Sequence, residues 1–280
     1  MPQERKMASI FAMVASRDGE RRSLGVMGSD MDFGFFFHER WPVFHEDNHL
    51  LVLYKPAGLL VQGDETGAAN LLDLAKAWIK QRHGKPGRVF MGLVQRLDRP
   101  VAGVMLFART SKAAARLSAQ IRTRQTRKVY LAVVQGRLPS VTGELMHHID
   151  RRARLSSVVP QPTASSREAR LSYQVLEASG YRSLVQIELE TGRKHQIRLQ
   201  LAHIGCPILG DVRYGAPAPL PSRQIALLSR EISLEHPTRR TRLSFCSPLP
   251  FGWPWPTADI PKDAPLWNWD DYAPALRGHV

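Results

Sequence analysis

A short charged turn between two apolar runs is the sequence feature that most constrains the fold of this chain. Residues 89–94 and 101–107 are mainly apolar, and residues 95–100 between them read Gln-Arg-Leu-Asp-Arg-Pro. Short apolar runs separated by a charged, proline-containing segment are typical of two buried strands joined by a turn. The sequence therefore predicts a rigid strand–turn–strand unit that carries one carboxylate, Asp98, between two arginines.

Asp98 has two roles open to it in such a turn. A carboxylate held on a rigid turn can act as a nucleophile or as a base. It can equally cap the turn and pair with Arg96 or Arg99, because structural ion pairs also gather charges. The spacing of these residues leaves both interpretations open.

The charge of the chain indicates a polyanionic partner. Lysine and arginine number 39 against 25 acidic residues, which gives a formal net charge of +14. Basic side chains that neutralise phosphates release counterions, so such an excess favours nucleic acid, although a merely soluble basic surface would also carry it. The basic residues cluster in three groups: Arg122, Arg124, Arg127 and Lys128; Arg151, Arg152 and Arg154; and Arg239, Arg240 and Arg242.

Several protein classes are not expected from this sequence. No apolar run reaches the ~18 residues of a transmembrane helix, and the N-terminus lacks the order of a secretory signal. Cys206 and Cys246 are too few for a disulfide framework and lack the paired spacing of a zinc site. We therefore expect a cytoplasmic protein that does not contact a membrane.

The hydrophobic pattern predicts one main domain over residues 41–250. Residues 1–40 show no sustained period and are expected to be an N-terminal extension, and residues 251–280 are expected to be a Trp- and Pro-rich tail. Helices are predicted over 68–82, 112–124 (with Ser111 as the N-cap) and about 194–204. Strands are predicted over 49–54, 129–134, 183–190, 224–234 and 241–245, and solvent-facing loops and edge strands over 137–168.

Four segments of the chain carry distinctive motifs. They read LYKPAGL at 53–59, GLVQRLDRPVAG at 92–103, KVYLAVVQG at 128–136, and LETGRKHQIR with GCPILGDVRYG at 189–198 and 205–215. In this order they resemble the opening, catalytic, tyrosine and closing motifs of the RluA family of pseudouridine synthases, whose catalytic motif reads His-Arg-Leu-Asp-x-x-x-Ser-Gly. The resemblance covers about residues 45–250.

The resemblance implies both a fold and an activity. The fold is α+β, a mixed and mainly antiparallel sheet with flanking helices and a central basic cleft. The activity is the isomerisation of a specific uridine in structured RNA, ribosomal or transfer, to pseudouridine by a monomer. Since nothing is added or removed, no metal, nucleotide or redox cofactor is implied, and the sequence has no P-loop, dinucleotide or zinc signature.

Asp98 is the nucleophile that the resemblance implies, either attacking the sugar C1′ or acting there as a base. Burial alone would disfavour its charged form, so a nearby cation is needed. Arg193 matches the family residue that pairs with the catalytic aspartate, and its planar fork suits a carboxylate. The alternative for Arg193 is phosphate binding at the start of a helix.

Tyr130 and Arg96 match two further functional residues of the family. Tyr130 corresponds to the tyrosine that stacks against the target base and helps in proton removal, although aromatic residues on strands usually pack in a core. Arg96 corresponds to the residue that enters the space left by the flipped nucleotide, where a planar cation can stack. A simple phosphate contact is the alternative for Arg96.

The remaining candidate RNA-binding residues lie within the same motifs: Lys55, Arg99, Lys128, His195 and Arg198. His195 and Gln196 are expected to support Arg193, and His195 lacks a partner at the helical spacing of a metal ligand. The chain departs from the family at Gln95, where His is usual.

Two competing functions have less support. A catalytically silent RNA-binding or chaperone protein of the same fold is supported only by the altered motif at Gln95 and residues 101–102. A hydrolytic glycosidase would normally need two carboxylates around the scissile bond. No second acid accompanies Asp98 in the matched motifs.

Overall fold

The structure is a computed structural model that describes residues 43–150, 156–220, 224–250 and 252–255. The predicted extension over 1–40, most of the predicted tail, and the basic group Arg151, Arg152 and Arg154 lie outside the described residues. Within the described residues, no helix combines the length and apolarity needed to cross a membrane.

One large mixed sheet forms the framework of the described chain. Its strands, with the helices between them, are β1 (Val43–Glu46), β2 (Leu50–Lys55), α1 (Leu71–Arg82), β3 (Gly92–Leu93), β4 (Ala102–Ala108), α2 (Ser111–Arg122), β5 (Arg127–Gln135), β6 (Thr142–Asp150), β7 (Ser157–Val159), β8 (Ser166–Ser179), β9 (Arg182–Leu189), α3 (Gln196–His203), a 3-10 turn (Val212–Tyr214), β10 (Leu227–Glu235) and β11 (Arg242–Cys246). The strand order is β1-β2-β4-β10-β5-β9-β8-β6-β7, with β11 on β10 and β3 on β4. Among the described strands β4 and β10 pair in parallel and the other pairs are antiparallel, which confirms the predicted sheet.

In the centre of the sheet, residues from motifs that are distant in sequence lie opposite one another on adjacent strands. Lys55 of β2 lies opposite Gly103 of β4, Gly103 lies opposite Ser229 of β10, and Ser229 lies opposite Tyr130 of β5. Gly103 has φ +124°, and a Cβ at this position would lie 2.2 Å from the carbonyl oxygen of Ser229. Only glycine allows this approach, so the residue that ends the catalytic motif also closes the middle of the sheet.

Helices cover both faces of β2 and β4. Successive side chains of a strand point to opposite faces, so each strand contributes to two apolar clusters. On one face α1 buries Leu71, Leu74, Ala75 and Ile79 in a cluster with Leu51, Leu53, Met105 and Phe107. On the other face α2 buries Ala113 and Leu117 with Leu50, Val52, Val104 and Leu106.

The helix starts differ slightly from the predicted ones. Asn70 rather than residue 68 caps α1, since its side chain accepts from the Asp73 N–H at 3.1 Å. Thr110, not Ser111, caps α2: its backbone is extended and its Oγ1 accepts from the Ala113 N–H at 3.1 Å. Side-chain acceptors at the N-cap satisfy the free N–H groups of a first turn, so the capping residue sets where each helix begins.

The prediction of loops and edge strands over 137–168 is wrong in part. β7 is a short edge strand, but β6 pairs along its whole length with β8, and β8 begins at Ser166. Polar and apolar residues alternate poorly in β6, because this outer part of the sheet leaves side chains such as Met146 exposed. Backbone pairing with β8 and the burial of Ile149 near its end therefore hold this strand.

The start of the predicted tail packs on the domain. Trp253 and Trp255 are buried in the main apolar cluster, and Trp255 Nε1 donates to Glu177 Oε2 at 2.8 Å. The two tryptophans therefore belong to the core of the domain.

Candidate active site

The turn that carries Asp98 is held by backbone hydrogen bonds. The Val101 N–H donates to the Asp98 carbonyl at 3.0 Å, which closes the turn around Pro100. The Gly58 N–H donates to the Arg99 carbonyl at 2.8 Å, and Arg99 Nε donates back to the Gly58 carbonyl at 2.8 Å. The opening motif and the catalytic motif thus hold each other in place.

Lys55 anchors the same turn from inside the protein. Its side chain is fully buried, and Nζ donates to the carbonyls of Pro56, Arg99 and Val101 at 2.9, 3.2 and 2.7 Å. Burial lowers the pKa of Lys55 to about 7, although the negative charge of Asp98 acts to raise it. An ammonium has three donors, so the predicted RNA contact of Lys55 is wrong, because all of them are used within the protein.

Asp98 presents its carboxylate at the surface of this turn. The side chain is 26 % exposed, and Oδ2 accepts from Arg198 Nη1 at 2.9 Å. Oδ1 lies 3.6 Å from His195 Nε2. One oxygen is therefore held by a guanidinium, while the other retains capacity to contact a ligand.

The cation that pairs with Asp98 is Arg198, and the predicted pairing with Arg193 is wrong. Arg193 Nε donates to the Glu168 carbonyl at 2.8 Å, and among the described residues it forms no ion pair with Asp98. Helix α3 starts only at Gln196, after Arg193, so Arg193 belongs to the preceding turn while Arg198 lies in the first turn of the helix.

Arg198 bridges two carboxylates and is not available to a phosphate as predicted. Its Nε and Nη2 donate to Asp211 at 2.7 and 2.8 Å, and its guanidinium carbon lies 4.8 Å from the centre of the Tyr214 ring. Burial acts to lower the pKa of Arg198, but hydrogen bonds and charges from Asp211 and Asp98 outweigh it and raise that pKa. Asp211 is not identified from the sequence as a site residue. A buried arginine needs a carboxylate partner, and Asp211 is an acid within the closing motif, so its position in that motif was the available signal.

The turn before α3 is locked by Gln196. Its Oε1 accepts from the Arg193 N–H at 2.9 Å and from Thr191 Oγ1 at 2.8 Å, and its Nε2 donates to the Arg170 carbonyl at 2.9 Å. Gln196 is buried, as a polar side chain can be when its groups are hydrogen-bonded. These bonds fix the position from which α3 directs Arg198 toward Asp98.

His195 points into the site rather than toward solvent. Its side chain is 10 % exposed, and Nδ1 lies 2.6 Å from the hydroxyl of Tyr214. Burial lowers the pKa of His195 to about 4; the charge of Asp98 acts to raise it, and those of Arg198, Arg213 and Lys194 act to lower it. The imidazole is therefore neutral at neutral pH, and its predicted RNA contact stays a prediction.

Tyr130 is buried on β5, where the charge of Asp98 reaches it. Burial raises the pKa of Tyr130 to about 12; a hydrogen bond with Ser229 acts to lower it and the charge of Asp98 acts to raise it. The phenol is thus protonated at neutral pH and within electrostatic reach of the carboxylate. Its stacking role stays a prediction.

The remaining predicted RNA-binding residues differ in exposure. Arg96 and Arg99 are exposed on the Asp98 turn. Lys128 is half-buried, burial lowers its pKa, and its ammonium lies beside Gly192 of the closing motif. The structure therefore places Arg96 and Arg99 on the turn of Asp98, and Lys128 beside the closing motif.

Gln95 leaves one donor unsatisfied. Its Nε2 is buried and has no hydrogen-bond partner among the described residues. Such an orphaned donor costs about 1–3 kcal/mol. The departure from the family motif therefore places an unpaired amide next to Arg96.

Two of the predicted basic groups meet at one cavity. Arg124, Arg127 and Arg242 line a cavity of about 370 Å³ with Glu188 and Glu190. Arg127 pairs with Glu188 at 2.9 Å, and Arg124 lies 3.6 Å from Glu190. The positive charge there is partly neutralised within the protein, and its contact with RNA stays a prediction.

Outside the Asp98 site, His45, Asp47 and His236 form a group of potential metal ligands. His236 Nδ1 accepts from the Thr238 and Arg239 N–H groups at 3.2 and 2.9 Å. Its proton must then be on Nε2, which donates to Asp47 at 2.8 Å. Because no lone pair of His236 faces the group, these residues form a structural cluster.

Comparisons with known proteins agree with the motifs. A family model described as RNA pseudouridylate synthase matches residues 49–203. Ribosomal large subunit pseudouridine synthase D of Pseudomonas aeruginosa is 33% identical over 233 residues, which cover 76% of this chain and 69% of that protein. The uncharacterized RNA pseudouridine synthase YhcT of Bacillus subtilis is 32% identical over 243 residues, which cover 86% of this chain and 80% of that protein.

A solved structure supports the fold. The human RNA pseudouridylate synthase domain containing 4 superposes with a TM-score of 0.66 at 27% sequence identity, covering 75% of this chain and 89% of that chain. The sheet, the matched motifs and these relatives agree, and the chain belongs to the RluA family of RNA pseudouridine synthases, which are isomerases.

Proposed function

We propose that this enzyme converts one specific uridine of a structured RNA to pseudouridine with Asp98 as the nucleophile. The observation that carries the proposal is the Asp98 carboxylate, which buried Arg198 holds at Oδ2 and whose side chain stays 26 % exposed. An activated nucleophile needs such an oriented and partly accessible group.

The reaction exchanges one bond for another. The bond between N1 of uracil and C1′ of the ribose breaks, and a bond between C5 and C1′ forms, so that the proton lost from C5 balances the one gained at N1. Asp98 attacks C1′ or acts there as a base. Arg198 holds the carboxylate by a charge-assisted hydrogen bond, and the bidentate pair with Asp211 fixes the plane of the guanidinium.

Tyr130 and Arg96 contribute to the handling of the target nucleotide. The phenol of Tyr130 is protonated and within electrostatic reach of Asp98, and we infer that its ring stacks on the extruded uracil. Extrusion of a base costs a few kcal/mol, and Arg96, exposed on the same turn, is placed to occupy the vacated space. A phosphate contact remains the alternative role of Arg96.

Ribosomal RNA is the favoured substrate class. The relative from Pseudomonas aeruginosa is named for the large ribosomal subunit, and transfer RNA is the alternative. We expect the enzyme to act as a monomer, and the cytoplasmic location expected from the sequence stays a prediction. No observation on the described residues favours the catalytically silent alternative, since Asp98, Tyr130 and a guanidinium come together there.

Mapping of pseudouridines in cellular RNA, with and without the gene, tests the proposal. We expect one or a few sites to disappear on deletion and to return with the wild-type gene or with Glu65→Gln, a change of an exposed carboxylate outside the site. Asp98→Asn should not restore them, while its affinity for RNA stays nearly unchanged. Full restoration by Asp98→Asn would overturn the nucleophile assignment.

A further inference from the structure

The two oxygens of Asp98 have unequal partners. Oδ2 accepts a hydrogen bond of 2.9 Å from Arg198, whereas Oδ1 lies 3.6 Å from His195 Nε2. The second distance exceeds that of a hydrogen bond. Contacts of catalytic groups are often long in a free enzyme and shorten when substrate binds, so His195 is placed to hold the second oxygen.

Tyr214 determines which nitrogen of His195 carries the proton. A neutral imidazole has one donor nitrogen and one acceptor nitrogen. If the Tyr214 hydroxyl donates to Nδ1 across 2.6 Å, Nε2 carries the proton and faces Asp98 favourably. The opposite tautomer would direct the Nε2 lone pair at a carboxylate. Burial raises the pKa of Tyr214, so its hydroxyl stays protonated and can donate the hydrogen bond to Nδ1.

We propose that His195 is a positioning residue for Asp98, oriented by Tyr214. The Nε2–H of His195 holds Oδ1 while Arg198 holds Oδ2, and together they fix the plane of the carboxylate toward the sugar. The inference rests on the proposed function of Asp98 as the nucleophile.

The backbone at His195 supports a functional role. His195 has φ 57° and ψ 22°, in the left-handed region, directly before α3. A side chain with a Cβ adopts this conformation at a cost in free energy, and such residues concentrate at functional sites. The hydrogen bond from the Gln196 N–H to the Arg193 carbonyl, 3.1 Å, helps hold this conformation, which directs the imidazole inward.

Positioning fits the charges around the imidazole better than proton transfer. Asp98 faces it from the β3–β4 turn, Arg198 from α3, and Arg213 and Tyr214 from the 3-10 turn, with Lys194 next in the chain. Burial and the three cations lower the pKa of His195 to about 4. A base of that strength takes up little proton at neutral pH, whereas a neutral imidazole still donates from Nε2.

The first test is Tyr214→Phe, with the exposed Tyr181→Phe as the matched control. The probe is an in vitro transcript that carries the mapped uridine, and the single-turnover rate of pseudouridine formation is measured from acidic to neutral pH. We expect a loss of roughly tenfold at neutral pH with unchanged transcript affinity. The loss should shrink on acidification, because an imidazolium carries protons on both nitrogens and donates to Asp98 without Tyr214.

The pH dependence separates orientation from stability. Loss of a donor to Nδ1 removes one support for the neutral form, so the pKa of His195 should rise in Tyr214→Phe, although burial and the three cations still hold it below its usual value. A loss that is equal at every pH, or a wild-type profile, would overturn the proposal. The thermal midpoint of Tyr214→Phe is recorded to confirm that the variant is folded at the assay temperature.

The second test replaces the imidazole itself. His195→Gln retains a donor of similar reach to Nε2, whereas His195→Asn tolerates the left-handed backbone but is too short. We expect His195→Gln to keep at least roughly tenfold more activity than His195→Asn, and to be insensitive to a further Tyr214→Phe. Equal activities of the two variants would contradict the inference. If these variants behave like wild type while Asp98→Asn is inactive, the role of His195 is refuted and the proposed function stands. An active Asp98→Asn would refute the proposed function itself.

Discussion

Two carboxylates of this enzyme have similar neighbours but differ in how many of their acceptor sites are used. Asp98 has an arginine and a histidine beside it, and Asp47 has Arg239 and two histidines. Asp47 Oδ1 accepts from the N–H groups of His49 and Leu50 at 2.7 and 2.8 Å, and Oδ2 accepts from His45, His236 and Arg239. Asp98 has one hydrogen bond and one longer contact.

The difference explains why one group is structural and the other can react. Burial acts to raise the pKa of Asp47, but hydrogen bonds from His45, the His49 and Leu50 N–H groups and His236 hold it well below its usual range. A carboxylate with saturated acceptors has little left for a substrate. The exposure of the two side chains, 17 % for Asp47 and 26 % for Asp98, differs much less than their hydrogen bonding.

Among variants of the residues that support the two carboxylates, the largest expected effect is on activity, from Arg198→Lys. A lysine cannot serve Asp98 and Asp211 at once, so the rate should fall by at least ~100-fold. Measurement of single-turnover rates checks this, with Arg193→Lys as the matched control, whose change should stay within about threefold because Arg193 contacts only a carbonyl among the described groups. A larger loss in Arg193→Lys than in Arg198→Lys would reverse the assignment of the partner.

The next effect concerns the anchor of the Asp98 turn. Lys55→Met should lower the free energy of unfolding by ~2–4 kcal/mol, because it removes the ammonium donor from the carbonyls of Pro56 and Val101 and one of two donors from that of Arg99. The pKa of Lys55 is lowered from 10.5 to about 7 in the folded protein. The unfolded chain therefore binds more protons between these values, and wild type should gain stability over Lys55→Met as pH rises from 7 toward 10.5. Denaturant titrations at several pH values measure both effects; a pH-independent difference would contradict the burial of the amine.

A smaller effect on stability is expected from Asp47→Asn. The amide would place N–H donors against donors of His236, and we expect a loss of ~1–2 kcal/mol with little change in activity. The pKa of Asp47 is depressed in the folded state, so its contribution is present above the ordinary value of 3.8 and is lost as pH falls below it. Urea denaturation at neutral and acidic pH checks this, and a stability difference that grows on acidification would have the wrong sign.

The smallest expected effect is on the salt dependence of RNA binding, when single exposed arginines are replaced. Arg96→Gln removes an exposed cation and should weaken affinity modestly while reducing the slope of log affinity against log salt by about one unit or less. Arg239→Gln, at the Asp47 cluster, tests whether the basic group around residues 239–242 also reaches RNA. Filter-binding titrations with the mapped transcript measure both slopes, and a salt-insensitive wild type would argue against phosphate contacts.

The sequence predicts the centre of the molecule better than its periphery or its ion pairs. Strong apolar runs and the charged turn over residues 95–100 predict β4 and place Asp98 before it, and Tyr130 follows from a matched motif on a buried strand. The outer strand β6 lacks a clear alternation because few of its side chains are buried on either face. Periodicity is informative only where one face is buried.

The partner of Asp98 depended on a detail that spacing does not contain. Arg193 and Arg198 lie in the same motif, but only Arg198 lies in α3, which begins directly after the left-handed residue His195. Buried charges were also missed, since Lys55 and Asp211 lie in turn sequences that usually face solvent. Lys55 is satisfied mainly by carbonyls 44 and 46 residues away and Asp211 by an arginine 13 residues away, and a local pattern does not show these pairings.

The most direct test compares the two carboxylates in one assay. Single-turnover formation of pseudouridine is measured for Asp98→Asn and Asp47→Asn on the same transcript at neutral pH, at a temperature where both are folded. The account predicts a loss of at least ~1000-fold for Asp98→Asn with the transcript still bound, and a rate near wild type for Asp47→Asn. Wild-type product formation by Asp98→Asn would contradict it.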